Sequence, residues 1–227
     1  FSWETTPMPL IPTPISQTNA TDQYKYVASK MAIVHDCIIR ALNSIYLQAP
    51  HIPASEYPNF IAYSLAAYRG LCAHHAGEEE MFSPELERLT GEQGLMDENV
   101  DGHRRFHNAL GEWDAWLEAY QKNEQRFDAE RCIRMMDSFM PARFPDLDLR
   151  KMMKEEGEKV LGSMSKTDLL PVFLLNHDVG FEDGRHNFPP VPPPVRWVLR
   201  EVCGRWRSEW WKFATCGYDG RVREVRY

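Results

Sequence analysis

Two histidine clusters constrain this chain more than any other feature: His74-His75-Ala76-Gly77-Glu78-Glu79 and His103-Arg104-Arg105-Phe106-His107. In each, two side chains able to bind a metal stand four residues apart. On an α-helix that offset is about one turn, so His74 with Glu78, and His103 with His107, project from one face. A further histidine, His35, lies upstream in an apolar stripe of helical period. Imidazoles and a carboxylate converging from several helices are how a four-helix bundle holds non-haem iron.

The apolar periodicity supplies the helices. A first helix is expected over residues 21–47, with Tyr24, Met31, His35, Ile38, Leu42 and Ile45 on one stripe. Pro50 and Pro53 punctuate the turn, and a second helix follows over 56–81, carrying Phe60, Ala67, Leu71, His74, Glu78 and Phe82 in line. A third spans 97–122 with Val100, His103, His107, Leu110 and Leu117. A fourth starts near Asp128 and ends or kinks at Pro141 and Pro145. Residues 147–161 read as a charged helix with a solvated face. A glycine- and proline-rich loop through Pro194 leads to a last helix over 195–212. Its stripe Trp197, Val198, Val202, Trp206 and Trp210 is expected to dock on the bundle.

The organisation that follows is an extended proline-rich arm over 1–17, a bundle over 18–146, and a helical and loop extension over 147–227 packed on it. The fold class is all-α: an up-down four-helix bundle with a proline-rich C-terminal helical extension. A net charge of −7, from 33 acidic and 26 basic residues, argues against a nucleic-acid partner. No apolar run reaches membrane-spanning length, so no membrane role is expected. The start, Phe1-Ser2-Trp3-Glu4, is not a signal peptide and lacks an initiator Met, so the chain reads as processed or trimmed. Five scattered cysteines with no CxxC pair fit free thiols in a reducing, cytoplasmic compartment.

The run His74-His75-x-x-Glu78-Glu79-x-Met81-Phe82-x-Pro84, followed by Gly94-x-Met96-x-x-Asn99-x-x-x-His103-x-x-x-His107, resembles the haemerythrin-like (HHE cation-binding) domain family, in its fungal branch with a C-terminal extension. The resemblance covers most of the chain. It implies two oxo- or hydroxo-bridged irons, with His35 and His74 on one, His103 and His107 on the other, and Glu78 bridging. A single metal is the alternative. On the fourth helix the chain departs from the family pattern. In one register Asp146 stands where the family has histidine, with Arg150 near its second carboxylate. In the other, His177-x-x-x-x-Glu182 supplies both ligands. The first register is favoured, because extended members carry a motif like that around His177 in addition to their fourth-helix ligands.

Beside each assignment stands a plainer one. Asp146 as a solvated helix-end charge, and His177 with Glu182 as a hydrogen-bonded cluster pinning the loop, both compete with metal ligation. His75 and Glu79 are rotated about 100° from their ligand neighbours and read as outer-sphere or surface groups. His51 and His186 read as surface residues, and Cys37 and Cys72 as buried small hydrophobes. The resemblance implies a non-haem iron protein that binds or activates dioxygen, an oxidase or oxygenase on a small organic substrate, with no catalytic residue identifiable. The rivals are a non-catalytic iron- or oxygen-binding or sensing module, and a metal-free bundle using its cavity for acid–base chemistry.

Overall fold

The computed structural model describes residues 6–18, 23–77, 80, 84, 88, 93, 94, 97–140, 168–224, 226 and 227. Four helices close a ring: α2 (Gln23–Gln48) packs on α3 (Tyr57–Gly77), α3 on α4 (Asp97–Gln121), α4 on α5 (Ala129–Phe139), and α5 back on α2. This is the four-helix bundle expected from the periodicity, and all four of its helices start within two residues of the expected positions. The start of α5 is set by Asp128, whose side chain accepts the backbone N–H of Arg131 at 3.0 Å and so satisfies a donor the helix leaves unpaired. The charged segment expected over 147–161 lies outside the described residues.

Helix α2 is the centre of the molecule. Short helix α1 (Pro14–Thr18), helix α6 (Leu170–Leu174) and two bundle neighbours all rest on it. Its second half is therefore buried on nearly every side, and the polar groups it carries there must find partners. They do so by holding other segments. Asn43 exchanges hydrogen bonds with the backbone of Met8 (N–H to Oδ1 3.1 Å, Nδ2 to carbonyl 2.7 Å). Asp36 Oδ1 accepts the N–H of Ile11 at 2.7 Å, and Ser29 Oγ that of Ile15 at 3.1 Å. Ser29, Asp36 and Asn43 are seven residues apart, about 10 Å along a helix. Three extended residues span about the same length, so residues 8–11 run antiparallel along α2 in register with it.

The described part of the N-terminal segment, residues 6–18, is thus seated against α2 rather than lying as a free arm on the surface. Met8 and Thr13 are buried, and residues 14–18 form α1. The prolines set the extended entry, but the polar face of α2 supplies the binding energy that seats it.

The C-terminal extension enters the core through α6 and through residues 211–216. Phe213 stacks edge-on against Phe60 (5.3 Å between centroids), and Trp211 against Tyr63 (6.1 Å). Gln48 Nε2 donates to the Phe213 carbonyl at 3.0 Å, and Ser44 Oγ donates to the same oxygen. Buried Asn176 ties three pieces together. Its Nδ2 donates to the Val172 carbonyl at 2.7 Å, and its Oδ1 accepts from Thr215 N (3.0 Å), Thr215 Oγ1 (3.1 Å) and the Tyr63 hydroxyl (3.3 Å).

The last segment is broken rather than one continuous helix. It passes from α7 (Pro193–Val198) through a π-turn (Leu199–Cys203) and a 3₁₀ turn (Gly204–Arg207) into α8 (Ser208–Trp211). Of the expected docking stripe only Trp210 packs on the core, half-buried beside Trp211; the rest faces outward. Trp197 is 62% exposed, Trp206 73%, and Val198 and Val202 are also exposed, while Arg200, Gly204 and Trp211 turn inward. A π-turn adds residues to a turn and a 3₁₀ turn removes them, so a stripe drawn at constant helical period loses phase here. Among the described residues no helix is long and apolar enough to cross a membrane.

Candidate metal centre

His35 on α2 and His74 on α3 are brought together inside the ring. Their ring centroids are 4.9 Å apart at an interplanar angle of 76°, and each residue is only 4% exposed. The two helices pack side by side, and each histidine occupies an inward position that an aliphatic residue would otherwise fill. His75 is also buried, its ring 5.8 Å from that of His74, so of its two readings the surface one is excluded. Two buried imidazoles in edge contact fit the nitrogen half of a metal site, because imidazole is a borderline ligand suited to iron, zinc or manganese.

His103 and His107 lie one turn apart on α4, which packs on α3; their side chains are outside the described residues. Glu78 and Asp146 are likewise outside the described residues. Among the described residues no three His, Cys, Asp or Glu side chains converge as a metal set, and of the candidate ligands the described residues bring together only His35 and His74.

His177 and Glu182 sit in different surroundings. Glu182 is held by the N-terminal segment: its carboxylate accepts the Thr13 N–H at 2.9 Å, the Ser16 hydroxyl at 2.7 Å and the Thr13 hydroxyl, and pairs with His186 Nε2 at 2.6 Å. Burial works against the Glu182 charge, but these hydrogen bonds outweigh it and hold its carboxyl below the usual carboxylate range. Glu182 and Asp183 adopt left-handed backbone, φ 48° and 63°, which gives the turn Phe181–Gly184 its shape. His186 is not a surface residue. Its side chain is 5% exposed because Glu182 draws it inward. His51 is exposed, as expected.

His177 is buried, with its ring edge-on to Phe188 at 5.2 Å. Burial, reinforced by the positive charges of Arg200 and Arg40, pushes its pKa down to about 3. Both arginines are themselves buried. Sequence reasoning passed over them. Arg40 sits in Cys37-Ile38-Ile39-Arg40-Ala41-Leu42, and a lone arginine within an otherwise apolar helical run was the available signal. Cys37 is buried as expected, and burial pushes its thiol up; Cys72 is only half-buried. All five cysteines are free.

A family model described as Hemerythrin HHE cation binding domain matches residues 28–162. A protein of Cryptosporiopsis sp. (strain 8999) named "Dimeric xanthone biosynthesis cluster protein R11" is 28% identical over 243 aligned residues, which cover 97% of this chain and 91% of that protein. No solved structure matches.

Proposed function

This chain belongs to the hemerythrin HHE cation-binding domain family, and from that premise we propose that His35, His74, Glu78, His103 and His107 hold two bridged irons that bind and activate dioxygen. The observation that carries this reading is the meeting of His35 and His74, from two helices, in a buried edge contact. When bound, the irons would supply the redox chemistry for activating O₂. The chain's own residues orient the imidazoles, exclude bulk water with the aliphatic and aromatic core of the ring, and carry the carboxylate that balances the metal charge.

Asp146 completes the set in this proposal. The positive charges of Arg40 and Arg200 beside His177 disfavour a metal cation there, and the Glu182 carboxylate is already engaged by Thr13, Ser16 and His186. We further infer an oxidase or oxygenase acting on a small organic substrate in secondary metabolism. The name of the Cryptosporiopsis relative, a biosynthesis cluster protein, supports that assignment. Dioxygen and the organic substrate are the proposed partners. A net charge of −7 opposes binding to nucleic acid, and five free thiols suit the reducing cytoplasm.

The test is metal quantitation and an optical spectrum of anaerobically purified protein, before and after O₂. About two irons per chain and a charge-transfer band sensitive to O₂ are expected. His74→Ala and His107→Ala lose both, while His51→Ala keeps both. Equal iron in all three variants removes the assignment. Asp146→Asn should lower the iron content and His177→Asn should not; the reverse pattern moves the fourth-helix ligands to His177 and Glu182.

A further inference from the structure

A second buried cluster lies on another flank of α2. Arg40 is five residues beyond His35, which places it about 140° around the helix and about 7.5 Å along it. There the C-terminal extension closes over α2. Val179 N–H donates to the Gly220 carbonyl and Cys216 N–H to the Leu175 carbonyl, each at 2.8 Å, and these bonds bring His177, Cys216 and Arg200 to one seam. Arg40 and Arg200 both act electrostatically on His177, Cys37 and Cys216, so the five side chains share one locus.

Arg200 is the informative member. It is only 6% exposed, and among the described residues it forms no ion pair. Its Nε and Nη2 are buried with no hydrogen-bond partner. Those two nitrogens form one edge of the guanidinium, whose N–H groups run parallel and match the two oxygens of a carboxylate. The opposite nitrogen, Nη1, lies over Gly220, where an added Cβ would come within 2.1 Å of it. Gly220 therefore lets the guanidinium lie flat against the backbone, leaving the paired edge for something else.

Asp219 acts electrostatically on Arg200, but no carboxylate comes within ion-pair distance of its guanidinium among the described residues, and one oxygen of each nearby acid is held by a backbone N–H. Asp36 Oδ1 accepts from Ile11 N, Asp178 Oδ1 from Gly180 N, and Asp219 Oδ1 from Arg221 N. Aromatic rings line the same seam: the Arg40 guanidinium lies 5.5 Å over Phe181, and His177 packs on Phe188. A buried cation with an empty bidentate edge, a second arginine alongside and flat aromatic walls describe a receptor for a planar anion.

We propose that Arg200, with Arg40 and His177, forms an anion-binding site, apart from the metal centre, that takes a planar organic carboxylate in the seam between α2 and the C-terminal extension. The guanidinium edge of Arg200 grips the carboxylate, Arg40 adds charge, and Phe181 and Phe188 take the ring.

Sodium benzoate is the probe, titrated calorimetrically into the full chain in metal-loaded and metal-stripped forms, with neutral benzamide and inorganic phosphate as comparisons. Saturable benzoate binding is expected in both forms, with no saturable binding of benzamide and weaker binding of phosphate. Arg200→Met should weaken benzoate at least tenfold. Arg200→Lys keeps the charge and stem, preserves the fold, and should weaken binding several-fold through loss of the paired edge. His74→Ala should leave it unchanged, so benzoate affinity and iron content fail or succeed separately. Absence of benzoate binding to the wild-type chain, equal binding by both Arg200 variants and wild type, tighter binding of phosphate than benzoate, or loss of binding in His74→Ala would each overturn the proposal.

Discussion

The imidazole of His35 meets that of His74 edge-on inside the helical ring, 4.9 Å between centroids, with both residues 96% removed from solvent. Two polar rings so placed give little packing advantage over aliphatic side chains. On the proposed reading, a metal centre shared by the two rings would tie α2 to α3.

Loading the centre should therefore stabilise the fold. Iron bound at about a hundred times its dissociation constant contributes about 2.7 kcal/mol, which for a chain of this size raises Tm by roughly 5–10 °C. Calorimetric scans of loaded and chelator-stripped protein measure this. An unchanged Tm would mean that the histidines hold no metal linked to folding.

Asn176 joins α6, Tyr63 and Thr215 through four hydrogen bonds in a site with no solvent access. Asn176→Leu strands three buried donors and one acceptor on its neighbours, so it should cost roughly 2–4 kcal/mol. Urea denaturation reads this directly, with an unchanged m-value if the unfolded state is unaffected.

Glu182 anchors the N-terminal segment through Thr13 and Ser16. Its carboxyl is held below the ordinary value, so the folded state binds its proton less readily than the unfolded chain does. The stabilisation it provides is complete above the ordinary carboxylate pKa of about 4.3 and is lost as pH falls through the lower, folded value. Glu182→Gln should destabilise at pH 7 by about 2 kcal/mol and flatten the acid limb of the stability curve. Urea midpoints from pH 7 to pH 3 compare the two chains, and parallel acid limbs would contradict the anchoring role.

Two tryptophans five residues apart should respond oppositely. Trp206 is 73% exposed, and Trp206→Ser should change stability by no more than about 0.5 kcal/mol. Trp211 is buried against Tyr63, and Trp211→Ala should cost roughly 3–5 kcal/mol. Thermal denaturation of both variants checks the pair. A large loss from Trp206→Ser would show that its face is covered in solution.

Much of this was legible in the residues. Apolar spacing, the prolines after α2 and the cap at Asp128 set the helices to within a few positions, because each is a local preference that acts over one or two turns. The pairing of His35 with His74 was legible for the same reason, as both stand on core stripes of strongly periodic helices. The extension was not. Its turns change pitch between Val198 and Ser208, and a period measured on a regular helix points Trp197, Val202 and Trp206 inward when the chain points them out.

What the sequence determined by itself, then, was an all-α bundle with histidines on its inner faces, since helical periodicity is written in neighbouring residues. The tertiary structure alone decided that Ser29, Asp36 and Asn43 seat the N-terminal segment, that Glu182 fastens it to the extension, and that Arg200 lies over Gly220 beside Arg40 and His177. Those contacts join segments far apart along the chain, and their energies depend on which polar groups lose water together. No local spacing encodes that.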